Sequence, residues 1–158
     1  MPKIDLETAP RKSGSIYPAP YDAQMAGRSS IRLSEAGGLS QFGANIVILE
    51  PGARSSLRHW HKNEDEFAIV LEGTLMLHQD EGEAEMQAGD CAAFPAGDPD
   101  GHCFINRSND EARFLVVGTR ASHEVATYSD VDLRIELSPG KCTFSRKDGT
   151  PYVEPEEQ

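Results

Sequence analysis

His59-Trp60-His61-Lys62-Asn63-Glu64-Asp65-Glu66, running on through Phe67-Ala68-Ile69-Val70-Leu71-Glu72 to Gly73, is the stretch whose reading decides this chain. Side chains on an extended strand alternate faces with a period of two, so His59 and His61 point to the same side. A short turn at Lys62-Asn63-Glu64-Asp65 would then bring Glu66, the first residue of a new apolar run, back beside both imidazoles. Two neutral imidazole nitrogens and a carboxylate are a ligand set for zinc, iron, manganese or nickel, with copper also compatible. One more donor is expected, and His102 supplies it. Taken alone, the same HxH pair reads equally well as the solvated rim of a hairpin, so the flanking sequence has to decide.

Outward from this stretch, the chain is cut into short apolar runs by turn residues. Upstream, Gln41-Phe42-Gly43-Ala44-Asn45-Ile46-Val47-Ile48-Leu49-Glu50 is a strand stopped by Pro51-Gly52, and 57–61 is the next. Downstream, strands are expected over 66–71, 74–78, 84–87, 91–94, 102–106 and 112–119, separated by Glu72-Gly73, Asp80-Glu81-Gly82, Gly89-Asp90 and Ser108-Asn109-Asp110. Short strands with a turn signal every eight to twelve residues point to an all-β sandwich or barrel. No long apolar stretch with a 3.6-residue period is present, so little helix is expected. Residues 1–40 read as an arm broken by Pro10, Pro18 and Pro20, with a short strand at 29–34. The barrel proper is expected over 41–120. A C-terminal extension follows over 121–158, with one short strand within 128–136 and an acidic tail at 154–158 left in solvent.

Composition narrows the function. The chain has 158 residues and a formal charge of −11, with a pI near 4.8. A nucleic-acid backbone and an anionic membrane surface are therefore poor partners, and a small-molecule ligand is the expected one. No segment approaches the ~20 apolar residues of a transmembrane helix, and the first residues show no apolar core of a secretory signal. Three cysteines, Cys91, Cys103 and Cys142, fall in no CxxC spacing. They are expected as reduced, buried thiols of a cytoplasmic protein.

Two spacings together resemble the cupin superfamily, in its small single-domain form. The first reads Gly52, His59-Trp60-His61, four residues, Glu66, six residues, Gly73. The second reads Gly89, five residues, Pro95-Ala96-Gly97, His102, three residues, Asn106. The gap from Gly52 to His59 is one residue longer than the common pattern, and that from Gly97 to His102 two residues longer. Both insertions fall in turns. The resemblance implies a double-stranded β-helix barrel, or jelly roll, that binds one divalent transition metal (zinc, iron, manganese or nickel) through His59, His61, Glu66 and His102. It also implies a homodimer. Glu64 and Asp65 are alternatives to Glu66, but strand parity and the spacing to Gly73 favour Glu66.

Parity also suggests what lies beside the metal. Ser55 and Leu57 share the side of the two histidines, Ala68 and Val70 share that of Glu66, and Phe104 that of His102. These five are the expected pocket lining. Phe67, Ile69 and Leu71 then form an opposite face too apolar to stay wet. Arg54, Arg58, Lys62 and Arg113 are candidate clamps for an anion, but no dense basic cluster is legible. No catalytic base stands out. The expected function is that of a metal-dependent enzyme of isomerase or dioxygenase type acting on a small polar metabolite. The alternative is a metal-dependent binding protein without turnover.

Overall fold

The computed structural model describes residues 3–152, so the acidic tail at 154–158 lies outside the described residues. Strand β1 (Arg11–Ser13) is followed by a 3₁₀ turn at Tyr21–Met25 and then by β2 (Arg28–Arg32). One four-residue helix, α1 (Leu33–Ala36), leads into β3 (Phe42–Leu49). The central strands are β4 (His59–His61), β5 (Glu66–Glu72), β6 (Thr74–Gln79), β7 (Gly82–Gln87) and β8 (Cys91–Phe94). They continue with β9 (Cys103–Ile105) and β10 (Ala112–Thr119), and the last strands among the described residues are β11 (Glu124–Tyr128), β12 (Arg134–Ser138) and β13 (Lys141–Ser145).

The strands form an antiparallel jelly roll. One sheet has the order β1-β2-β3-β10-β5-β8. The other is assembled from β13-β12-β11-β4 and β7-β6-β9, stitched together where His59 and His102 exchange both backbone hydrogen bonds, at 3.1 and 2.8 Å. Turn chemistry sets the corners. Gly73, between β5 and β6, has φ +78°, and a Cβ there would stand 2.9 Å from the Ala112 side chain, so only glycine fits.

Alternation along each strand places the core. Val47, Leu49, Ala68, Val70, Leu75, Leu77, Phe104 and Phe114 meet between the two sheets. A second cluster, with Met25, Leu57, Tyr128, Leu133 and Ile135, is closed by Tyr17 and Tyr21 of the N-terminal stretch. These clusters leave a cavity between them, and the histidines open onto it.

Two expectations are revised. The single strand expected within 128–136 is two strands, β11 ending at Tyr128 and β12 starting at Arg134. Ser129-Asp130 and Asp132 favour a turn between them. Of the cysteines, Cys103 is buried while Cys91 and Cys142 are exposed, and all three are free thiols. β2 of the N-terminal stretch pairs with β3, and β11 of the C-terminal stretch pairs with β4. No helix of the described residues is long and apolar enough to cross a membrane.

Candidate metal centre

Three features of local sequence bring the donors together. Strand alternation aims His59 and His61 at one point, and their Nε2 atoms lie 3.1 Å apart. The turn after β4 returns Glu66, whose Oε2 is 3.2 Å from His61 Nε2 and 3.3 Å from His102 Nε2. His102 arrives from the other sheet segment through its backbone bridge to His59, with its ring stacked on Phe94 at a centroid distance of 3.5 Å. That stacking fixes the plane of the imidazole.

The turn at Lys62 to Asp65 is shaped by a residue that parity does not reveal. Glu124 is fully buried, and its carboxylate accepts the backbone N–H groups of Lys62 at 2.8 Å, Asn63 at 3.0 Å and Val125 at 2.9 Å. Asp65 accepts the N–H of Ala96 at 2.8 Å, and Gly97 donates to the His61 carbonyl at 2.8 Å, tying the second motif loop to β4. The two extra residues before His102 are anchored by Asp100, which accepts the N–H of Asp80 at 2.9 Å. Asn106 is equally structural. Its amide donates to the carbonyls of Leu49 and Asp110, and its Oδ1 accepts from Ser108.

The geometry fits a metal ion. Donors about 2.1 Å from an ion stand about 3.0 Å apart at an octahedral right angle and about 3.4 Å apart in a tetrahedron. The spacings of 3.1, 3.2 and 3.3 Å fall between those limits. Protonation agrees. His59 Nδ1 lies 2.9 Å from the Leu57 carbonyl, which can only accept, so the proton sits on Nδ1 and the Nε2 lone pair faces the cluster. Burial, with His61 and His102 close by, pushes the His59 pKa down to about 3 and keeps the ring neutral. Burial alone would raise the Glu66 pKa, but the His102 and His61 imidazoles outweigh it and hold the carboxyl ionised, well below the usual range. His102 Nε2 is buried and makes no aligned hydrogen bond, and a coordinate bond would satisfy it.

Behind the cluster, Glu64 Oε2 lies 3.9 Å from His61 Nδ1, while its other oxygen accepts the N–H of Ala121 at 2.9 Å. Glu66, and neither Glu64 nor Asp65, brings its oxygen to the Nε2 atoms.

This arrangement has relatives. A family model for the cupin domain matches residues 45–118. A crystal structure of a sugar phosphate isomerase from the cupin superfamily, from Silicibacter pomeroyi, is 56% identical, with a TM-score of 0.93 over 96% of each chain. The chain belongs to the cupin superfamily. A provisionally named sugar phosphate isomerase from Acidithiobacillus ferrooxidans is 25% identical, with a TM-score of 0.72 over 81% of each chain. A polyketide cyclase from Streptomyces resistomycificus shares the fold at 23% identity and a TM-score of 0.61, over 75% of this chain and 79% of its own. Among curated proteins, none matches the chain by sequence.

Within this cupin, the four donors open onto a cavity of about 310 Å³. Of the five residues expected to line it, Ser55 and Phe104 are in its wall, whereas Leu57, Ala68 and Val70 are not. Strand parity gives a side and not a depth. Ala68 and Val70 sit about 7 and 14 Å further along the strand than Glu66, below the floor, and the segment around Leu57 is not a regular strand. The four cations proposed as clamps also miss the cavity. Arg58, for example, is paired with Asp80 and Asp130. The cations that line the cavity are Lys12, Arg28 and Arg32 from the N-terminal strands. The alternation Arg28-Ser29-Ser30-Ile31-Arg32 was the available signal, since period two puts both arginines on one face.

Proposed function

We propose that this cupin is a divalent-metal-dependent isomerase of a small sugar-type substrate. The observation that carries the reading is the opening of the four-donor cluster onto one cavity, where Ser55, Ser56 and Asn45 offer partners to hydroxyl groups. The 56% identical relative described as a sugar phosphate isomerase supports it. His59, His61, Glu66 and His102 would hold the ion, which when bound polarises a carbonyl and its neighbouring hydroxyl.

The chain's own residues do the rest. The Leu57 carbonyl and the Ser56 hydroxyl, 3.2 Å from His59 Nδ1, keep that ring turned toward the cavity. Phe104 and Phe114 form a dry floor on one side, which strengthens electrostatic interactions above it. Tyr17 and Tyr128 have pKa values raised by burial, so they present neutral hydroxyls rather than bases. Aldose–ketose isomerisation moves a proton between adjacent carbons and another between their oxygens, with no external oxidant.

One observation favours a second reading, binding without turnover. Among the described residues Glu66 is the sole carboxylate in the cavity lining, and it is engaged by His61 and His102. The deciding experiment incubates protein loaded with manganese, iron, nickel or zinc with pentose and hexose phosphates in deuterated water. Interconversion, or deuterium at the carbon beside the carbonyl by NMR, is expected for an isomerase. Retained ligand with neither signal, under any of the metals, would replace the isomerase with the binding module.

A further inference from the structure

The N-terminal strands carry a feature that stands against the acidity of the chain. On β2, Arg28, Ser30 and Arg32 alternate onto the inner face, and Lys12 of β1 is the cross-strand partner of Ser30 on that same face. All three cations line the cavity that holds the metal-ligand cluster. Arg28 is held by carbonyls rather than carboxylates. Its Nε donates to Ser55 at 2.5 Å and its NH1 group to Gly14 at 3.1 Å. Arg32 has one acidic neighbour, Glu35 on α1, at 2.8 Å. Among the described residues neither Lys12 nor Arg28 has a carboxylate in an ion pair. Three positive charges so placed repel one another, and burial together with the two arginines lowers the Lys12 pKa. Such a cluster is stable where an anion joins it.

A second observation points into the same space. Asn45, the cross-strand partner of Arg32, lines the cavity with its Oδ1 buried and without a hydrogen-bond partner. It sits on β3, between the strand of Arg32 and those leading to Glu66. Three strand spacings, about 14 Å, separate β2 from β5, and side chains from both strands line the same cavity.

We propose that Lys12, Arg28 and Arg32 are the anchor for a phosphate monoester, gripping one end of a substrate whose carbonyl end meets the metal cluster and whose hydroxyls reach Asn45. This rests on the isomerase reading above and names the part of the substrate that reading leaves open. A phosphate dianion presents three oxygens to the two guanidinium groups and the ammonium, a better match than a single carboxylate. The −11 charge of the whole chain disfavours a polynucleotide as the source of the phosphate.

Calorimetry on the full-length, metal-loaded protein tests it, with inorganic phosphate, a sugar phosphate and the unphosphorylated sugar as titrants. Phosphate is expected to bind, and Arg32→Gln and Lys12→Met are each expected to weaken it by about tenfold or more at unchanged metal content. The unphosphorylated sugar should bind equally to all three proteins. Phosphate affinity identical in wild type and both variants would overturn the anchor, as would equal affinity for the sugar with and without its phosphate. Isomerisation that persists in such a result leaves the function standing without the anchor. Intact, variant-sensitive phosphate binding with no isomerisation of any sugar phosphate keeps the anchor and removes the isomerase.

Discussion

At His59 a single carbonyl oxygen decides the chemistry of a ring. Because the Leu57 oxygen at 2.9 Å takes the Nδ1 proton, Nε2 is left as a lone pair among two other imidazoles and a carboxylate. His61 and His102 both approach Glu66 Oε2, and among the described residues no fourth nitrogen stands ready to replace either. A His61→Ala, His102→Ala double variant is therefore expected to lose the metal, from about one ion per chain to near none, since two ligands of four remain. Elemental analysis of protein purified without chelator reads this directly, and full occupancy in the variant would refute the ligand assignment. These donors were legible in sequence because HxH, the four-residue gap to Glu66 and the distant His102 are facts of spacing. Leu57, Ala68 and Val70 were misplaced in the lining because spacing along a strand says nothing of where a cavity floor begins.

At the scale of elements, the turn between β4 and β5 depends on a strand more than fifty residues later. Glu124, at the head of β11, gathers the N–H groups of Lys62 and Asn63 and so holds the bend that carries Glu66 back to the histidines. Nothing in the local sequence marks Glu124, because its role exists only once β11 pairs with β4. Lys12 likewise joins the face of Arg28 and Arg32 only through the β1–β2 pairing, whereas the alternation that puts the two arginines together is local to β2. Strand positions from Phe42 to Thr119, by contrast, were legible from turn residues and alternation. Replacing Glu124 with alanine leaves buried donors without an acceptor. The expected loss of stability is about 3 kcal/mol, together with weakened metal binding. Urea denaturation of metal-free protein separates the two effects. Unchanged stability would show that the turn holds itself.

For the whole molecule, the question is what covers the outer face of the six-stranded sheet. The chain covers half of that face itself. Ile31, Ile46 and Ile48 on β2 and β3 lie under Ile4, Ala9 and Leu33 of the N-terminal stretch and α1. Over β10, β5 and β8 none of the described residues covers the other half. Phe67 is 42% exposed and Leu71 46%, with Phe42 at 38% beside the groove that Val117 and Ala93 also line. Large apolar side chains grouped on one flat sheet seldom face water in a monomer. We infer that a second copy of the chain covers them, face to face about a twofold axis, because one apolar patch that meets its own copy buries both at once. A stable interface of this kind removes about 800 Å² from each partner, which a four-stranded face can supply. Light scattering at tens of micromolar should then give twice the 17.3 kDa chain mass. Phe67→Lys with Leu71→Lys, both on the outer side of β5 and away from Glu66, should return the protein to a monomer that still holds its metal. A wild-type mass of 17.3 kDa would reject the dimer, and a double variant that stays dimeric would move the interface to another face.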